Sequence, residues 1–223
     1  MTKQNYTPFI KGETIDLCVP NKSAIYSGWA DWFNCKKTIT FLSQGAFANL
    51  VENQEEFYKS LVRKERFALL ICNKEAQLEG IISLSSLDFI NGSCQISMVF
   101  GATPPKPHAL EAMAMMTKHA FEDMRMQRIW AGQVYPGLRK WTLSLELIGY
   151  KTDGINRKAF LKGRQVRDTI SISCLLEDYD RITARRGGSL WLGKEKMMRL
   201  LLNRPQVSIA DEISAVIPGI QNK

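Results

Sequence analysis

Few side chains in this sequence could act in acid–base or nucleophilic chemistry. There are only two histidines, His108 and His119, and five cysteines without a CxxC pair. Four of the cysteines lie in apolar runs with strand character, so we expect buried, reduced thiols rather than a nucleophile. Two isolated histidines and scattered carboxylates show no ligand spacing, and we therefore expect no metal site.

Asp88 and His108 remain as candidates for the catalytic base. Asp88 stands near the end of an apolar run, and His108 precedes an Ala- and Met-rich segment that is typical of a helix. Each has a structural alternative, since Asp88 could be a solvated charge at a strand end and His108 an ordinary residue at a helix start. A relay of water molecules is a third way to remove a proton.

Residues 100–113, FGATPPKPHALEAM, lie between an apolar run and this helix, where phosphate-binding loops often occur. Such loops use unpaired N–H groups, the helix dipole and glycine. This stretch has three prolines, which lack an N–H. Lys106 adds a cation, and Lys106, His108, Ala109 and Leu110 carry amides. The stretch is either an altered phosphate cradle or a rigid helix start without a ligand.

The predicted elements follow the order strand, helices, three antiparallel strands, helix, strand, helix and hairpin. Strands are predicted in ETIDLCVP, RFALLICN, GIISLSSLDFI, SCQISMVF, QRIWAGQV and KAFLKGRQVRDTISISCLL. Helices are predicted in SAIYSGWADWFNC, QEEFYKSLVRK, HALEAMAMMTKHAFEDM and RKWTLSLELIGY. Asn91–Gly92 is a hairpin signal, and Gly149 indicates a helix C-cap. The fold class is therefore α/β with a mixed sheet.

Charge is distributed unevenly along the 223 residues. The net charge is +8, and beyond residue 180 eight Lys/Arg face three Asp/Glu, which places +5 in the tail. We expect one domain over residues 1–180 and a basic linker and helical extension over residues 181–223. RITARRGGSLWLG is typical of a linker, and KEKMMRLLLNR and IADEISAV of short helices. Neither a membrane span nor a signal peptide is indicated, so we expect a cytoplasmic protein.

Two segments carry a family resemblance. WADWFNCKKTITFLSQGAF and IGYKTDGINRKAFLKGRQVRDTISISCLLEDY resemble the opening and the ending of one branch of the GNAT superfamily of acyl-CoA N-acyltransferases. This branch includes ribosomal-protein and amino-sugar acetyltransferases. The resemblance spans about residues 13–179 and implies a mixed, mostly antiparallel twisted sheet flanked by helices. Within it, Arg157 and Asp168 either support the fold or line a substrate.

The resemblance implies transfer of an acetyl group from acetyl-CoA to a primary amine of a small substrate, such as a nucleotide-linked amino sugar. It places the cofactor phosphates at the proline-rich stretch. It also places an oxyanion donor in the backbone of Met98, Val99 and Phe100, at a splayed strand bulge. Early helices wall the acceptor site, so Trp29 and Trp32 are candidates for substrate binding, with core packing as the alternative.

The positions that bear the cofactor depart from the family's pattern. Pro105 and Pro107 stand in the glycine slots of the loop, and Ala102 in its Arg/Gln slot. The Asn, Ser and Tyr slots after the next strand hold Leu138, Trp141 and Leu145, and Gln95 stands where several relatives have a Glu base. Two hypotheses therefore stay open: an active acetyltransferase, and a catalytically degenerate GNAT-fold protein that binds a ligand or partner.

The sequence leaves the partners and the acyl donor partly open. A small amine is the expected partner and a homodimer is compatible with the sequence. No nucleic-acid motif accompanies the basic tail, and nucleic acid is not expected as a partner. Acetyl-CoA, a longer acyl-CoA and a carrier-protein thioester remain alternatives as donors.

Overall fold

The computed structural model describes residues 6–204 and 206–216, and a single sheet of eight strands lies within them. The strands are β1 (Pro8–Lys11), β2 (Ile15–Cys18), β3 (Phe67–Asn73), β4 (Leu78–Asp88), β5 (Ser93–Phe100), β6 (Arg128–Tyr135), β7 (Lys151–Lys162) and β8 (Gln165–Leu175). Their order across the sheet is β1-β2-β3-β4-β5-β6-β8-β7. Neighbouring strands are antiparallel except β5 and β6, which are parallel.

Helices cover both faces of this sheet. They are α1 (Lys22–Ala24), a π-helical turn (Ile25–Trp29), α2 (Ala30–Trp32), a 3₁₀ turn (Thr38–Phe41), α3 (Val51–Val62), α4 (Lys106–Glu122), α5 (Arg139–Glu146), α6 (Leu176–Arg185), α7 (Lys194–Asn203) and α8 (Ile209–Val216). Within residues 6–204 and 206–216, none of the helices combines the length and the apolar character that crossing a bilayer requires.

Alternation along the strands produces two cores, one on each face of the sheet. On the first face, Ile82 and Ile96 belong to a core that also contains residues of α4 to α8, including Met197 and Ala210. On the second face, Ile81 packs with residues of α1, α2 and the π-helical turn, and α3 lies against them. The segment beyond residue 180 thus contributes to the larger core, while the domain division at that residue remains a prediction.

Most of the predicted elements are confirmed. Gly149 has φ 98°, and the N–H of Tyr150 bonds to the carbonyl of Leu145, which is a glycine C-cap. Gly92 has φ 62° in the turn between β4 and β5. The fold class predicted from the sequence, a mixed and mostly antiparallel sheet flanked by helices, is the observed one.

Three elements differ from the sequence prediction. The sequence prediction missed strand β1 because it is a short, largely exposed edge strand. Since it has no buried face, apolar and polar residues do not alternate along it. Strand β7 begins at Lys151, well before the predicted hairpin, and is also mostly exposed. Helix α6 continues to Arg185, through the first part of the segment expected to be a linker. Glu177 and Asp178 in its first turn and the buried Thr183 favour that helix.

The parallel strands β5 and β6 pair over only three residues and then separate. Their pairs are Ser93–Arg128, Cys94–Ile129 and Gln95–Trp130. Beyond them, residues 96–100 of β5 and residues 131–135 of β6 bound an open space that we call the wedge. Pairing of β5 with β4 is unbroken over the same stretch, so the bulge expected at residues 98–100 is wrong. The register shift lies near Asp88 instead.

Candidate functional site

Backbone N–H groups of β5 face the wedge. The N–H of Gly101 donates to the carbonyl of Glu79 at 3.0 Å. Alternate residues of an antiparallel strand bond to the same neighbour, so the Val99 N–H points to β4 and the Met98 and Phe100 N–H groups point to the wedge. These two donors lie where an oxyanion could be stabilised. Of the three residues predicted to donate to an oxyanion, Met98 and Phe100 therefore face the wedge and Val99 does not.

The turn Thr38–Phe41, which we call the strap, touches both sides of the wedge. Thr38 Oγ1 donates to the carbonyl of Gly101 at 3.2 Å. Phe41 packs so closely on Gly137 that an added Cβ there would lie 2.4 Å from its Cε1 atom. Gly137 follows the end of β6, so the strap links the ends of the two separated strands. An acceptor that displaces the strap would therefore also disturb the wedge.

A cavity of about 330 Å³ lies on the second face, between α3, the helices before it and strands β4 and β5. Trp29 lines this cavity together with Ser83, Ser97 and Met98, and its role in substrate binding stays a prediction. Trp32 does not line it but packs on Gly101, where a Cβ would lie 2.2 Å from its Nε1 atom. Because Met98 also bounds the wedge, the cavity and the wedge adjoin at this residue.

Arg66 also lines the cavity and was missed in the sequence. Its Cζ atom lies 5.0 Å from the ring centroid of Phe57, another lining residue. Arg66 Nε and Trp29 Nε1 are both buried without a hydrogen-bond partner among the described residues. An arginine directly before an apolar strand gives no local signal of such a role, because only the packing of α3 brings Phe57 beneath it.

The start of α4 offers few amides to an anion. Pro105 and Pro107 have no N–H, and the N–H of His108 already donates to the carbonyl of Pro105 at 3.1 Å. Ala109 and Leu110 lie far enough inside the helix for their amides to bond to helical carbonyls, so a phosphate would compete with the helix for them. The Lys106 N–H is thus the freest amide of this turn, and the roles of Ala109 and Leu110 stay predictions.

The two candidate bases lie far apart. His108 Nδ1 is 2.7 Å from Glu79 Oε2, so a carboxylate orients the ring at the end of β5 and leaves Nε2 for other partners. Asp88 lies toward the other end of β4, eight residues from Gly80, which corresponds to roughly 26 Å of strand at about 3.3 Å per residue. Its carboxylate accepts hydrogen bonds from the N–H groups of Asn91 and Ile90, which lower its pKa. Asp88 therefore stabilises the hairpin turn, and a carboxylate with a lowered pKa is a weak base.

Buried thiols near the wedge are not available as nucleophiles. Cys94 lies in the paired part of β5, and burial raises the pKa of its thiol to about 12. Burial likewise raises the pKa of Cys174 to about 12. Both remain protonated at neutral pH, so neither is available as a nucleophile.

Comparison with solved structures identifies the fold. The fold matches a spermidine N-acetyltransferase from Vibrio cholerae in complex with CoA and spermine, with a TM-score of 0.68 and 14% identity over 75% of this chain and 99% of that chain. It also matches a GCN5-related N-acetyltransferase from Brucella melitensis, with a TM-score of 0.65 and 18% identity over 86% and 88% of the two chains. The chain has the GNAT acetyltransferase fold.

The sequence alone leads to neither a matching family model nor a matching curated protein. At identities below 20% the structural likeness establishes the GNAT fold, and the branch within the superfamily stays a prediction. The segment from about residue 13 to residue 179, on which the resemblance was based, contains the wedge and the cavity.

Proposed function

We propose that this protein is an N-acetyltransferase that moves an acetyl group from acetyl-CoA to a primary amine of a small substrate. The observation that carries the proposal is the junction at Met98, where two N–H groups facing the wedge adjoin the cavity on the second face. A structural neighbour with the same fold holds CoA and spermine, which supports a site for a thioester and an amine.

The residues present fit the thioester end of acetyl-CoA, at the wedge, better than they fit its phosphates, at the start of α4. When bound, acetyl-CoA supplies the activated acetyl group. The N–H groups of Met98 and Phe100 would stabilise the developing oxyanion, and Lys106 would hold a phosphate by its charge and its amide. In the proposed transfer the amine nitrogen would bond to the acetyl carbon as the C–S bond breaks, and the sulfur would leave as a thiolate that takes up the proton lost by the amine.

Proton removal from the amine is assigned to a water relay or to His108. The cavity lining contains no histidine and no carboxylate in the described part of the chain, so a base there must be reached through water. His108, whose ring is held by Glu79 beside the end of β5, is the side-chain candidate. Alignment of the reactants can itself supply up to about 7–11 kcal/mol of the barrier reduction.

A nucleotide-linked amino sugar is our candidate acceptor, since the net charge of +8 suits an anionic substrate. The cavity of about 330 Å³ would take the amino sugar with the phosphate attached to it, and the nucleoside would extend outside it. A cytoplasmic location and a homodimer remain predictions. The alternative function is a degenerate GNAT-fold module that binds a ligand without turnover, which Pro105 at the N-cap of α4 and Pro107 in its first turn favour.

Calorimetric titration with acetyl-CoA separates these functions. We expect micromolar binding that weakens about tenfold or more in Lys106→Ala, because a charged hydrogen bond to phosphate is lost. Lys118→Ala is the matched control, since this exposed lysine of α4 pairs with Glu122 three turns from the helix start. Thiol release with a panel of amines then measures turnover.

Absence of binding at millimolar acetyl-CoA would rule out the acetyltransferase. Binding without turnover for any amine would favour the degenerate module. Equal weakening in the Lys106 and Lys118 variants would remove the phosphate role of Lys106 and leave the wedge as the remaining determinant.

A further inference from the structure

We propose that the acceptor carries an oxyanion, either a carboxylate or a phosphate, which the guanidinium of Arg66 binds inside the cavity on the second face. This inference rests on the proposed function, because that function places the acceptor in the cavity. It adds that the substrate must carry an oxyanion and that Arg66 recognises this group.

Arg66 differs from its neighbour Arg63 in that no carboxylate of the described residues lies within ion-pair distance of it, although the charge of Glu65 acts on it from farther away. Arg63 pairs with Glu56 at 3.0 Å and with Glu65 at 2.6 Å. Arg66 makes neither a hydrogen bond nor an ion pair within residues 6–204 and 206–216, and its contact with Phe57 holds it at the cavity wall. A guanidinium matches a carboxylate or phosphate through two parallel hydrogen bonds, so a ligand oxyanion would satisfy this unpaired charge.

The rest of the lining also favours an anion. Trp29 is 1% exposed, and its indole N–H is a donor without an acceptor. The hydroxyls of Ser83 and Ser97, 2.9 Å apart, and the amide of Asn53 are further polar groups. Among the described lining residues there is no Asp or Glu to receive a second ammonium group. A polyamine would bring several positive charges beside Arg66 with nothing to neutralise them.

The cavity's size limits the part of the ligand that it encloses. At about 330 Å³ it lies near the lower end of the roughly 300–1,000 Å³ usual for small-molecule sites. A compact amine with one oxyanion fits this volume. The occupant must also bring its amine to the Met98 end of the cavity, which adjoins the wedge.

Calorimetric titration of the full chain without acetyl-CoA tests the inference through two matched pairs of probes. Glucosamine 6-phosphate and glucosamine differ by the phosphate, and serine and serinamide differ by the carboxylate. We expect at least one anionic probe to bind about tenfold or more tightly than its neutral counterpart, with spermidine binding more weakly than that probe. The pair that shows the preference identifies the oxyanion.

Two Arg66 variants and one control assign the preference. Arg66→Gln should abolish it, Arg66→Lys should keep part of it through charge alone, and Arg63→Gln should leave it unchanged. If Arg66→Gln does not fold, as judged by circular dichroism, the lysine variant carries the test. A preference that survives both Arg66 variants would overturn the inference. So would tightest binding of spermidine, or no binding of any probe.

The role of Arg66 and the acetyltransferase activity can fail independently of each other. Probe binding needs no thioester, so it can succeed even where thiol release fails with every amine. Failure of thiol release alone would overturn the acetyltransferase, whereas loss of the anion preference would overturn only the role of Arg66.

Discussion

Gly101, directly after β5, packs tightly against Trp32 of α2. A Cβ on it would lie 2.2 Å from Trp32 Nε1 and 2.4 Å from Trp32 Cε2, so the rigid indole would have to move. We expect Gly101→Ala to lower the free energy of unfolding by about 1–3 kcal/mol, measured by urea denaturation.

Gly132→Ala provides the matched control for that substitution. Gly132 lies within β6, and nothing approaches within 4 Å of its Cβ position. Its free energy of unfolding should change by no more than about 0.5 kcal/mol. Equal effects of the two substitutions would show that Trp32 does not press on Gly101 in solution.

At the residue scale, one of the two predicted tryptophans lines the cavity, since Trp32 packs on Gly101 instead. Trp29 follows from the early helices of the resembled family, and it lines the cavity. Arg66 and the separation of Asp88 from His108 depend on how strands pair and which helix covers them. Those contacts join residues far apart in sequence, so local sequence patterns do not indicate them.

One carboxylate of helix α8 links it to the sheet and to α5. Asp211 accepts hydrogen bonds from Tyr135 at 2.7 Å and from Arg139 Nε at 2.8 and 2.7 Å. Burial opposes ionisation of Asp211, but bonds from Arg139 and from the Ser208 N–H outweigh it and lower its pKa. The helix should therefore be held most firmly where this carboxylate is charged.

Asp211→Asn tests that attachment through its pH dependence. A lowered folded-state pKa adds stability above the unfolded value of about 3.9, and this stability is lost as the pH falls through the folded value. We expect the variant to lose about 2 kcal/mol of unfolding free energy at pH 7, measured in urea. The difference from the native chain should shrink at pH 3, and a constant difference would contradict the electrostatic origin.

At the element scale, the buried strands β3 to β6 and the helix α4 are predicted well because apolar periodicity marks them. The edge strand β1 and most of β7 are exposed, so their pattern contains little apolar signal. Arg185 belongs to a helix although RITARRGG has the composition of a linker, because the buried Thr183 and the core beneath it favour helix there.

The two ends of the described chain meet at Glu13. Its carboxylate accepts hydrogen bonds from Trp191 Nε1 at 2.8 Å and from the Lys194 N–H at 2.7 Å, which caps the start of α7. The turn between β1 and β2 is also held by Glu111 of α4, through the Thr14 N–H at 2.9 Å. The hairpin, α4 and α7 thus support one another.

A chain that stops after residue 180 should fold poorly. It lacks Leu190, Met197 and Ala210, which are buried in the larger core, and leaves apolar surface of α4 uncovered. We expect it to aggregate or to melt well below the full chain, measured by light scattering and circular dichroism. Glu13→Gln in the full chain is the milder comparison, at a cost of about 1 kcal/mol. A shortened chain as stable as the full one would show that the tail is a separate extension.

Strand β5 borders two ligand spaces at once, the wedge at one edge and the cavity on the second face. Under the proposed function the acyl donor reaches it from the start of α4 on the first face, and the amine reaches it from the opposite face. Neither ligand then has to depart before the other enters, and both are present when the acetyl group moves. The protein need not carry that group itself between two half-reactions, which is consistent with thiols such as Cys94 being buried and protonated.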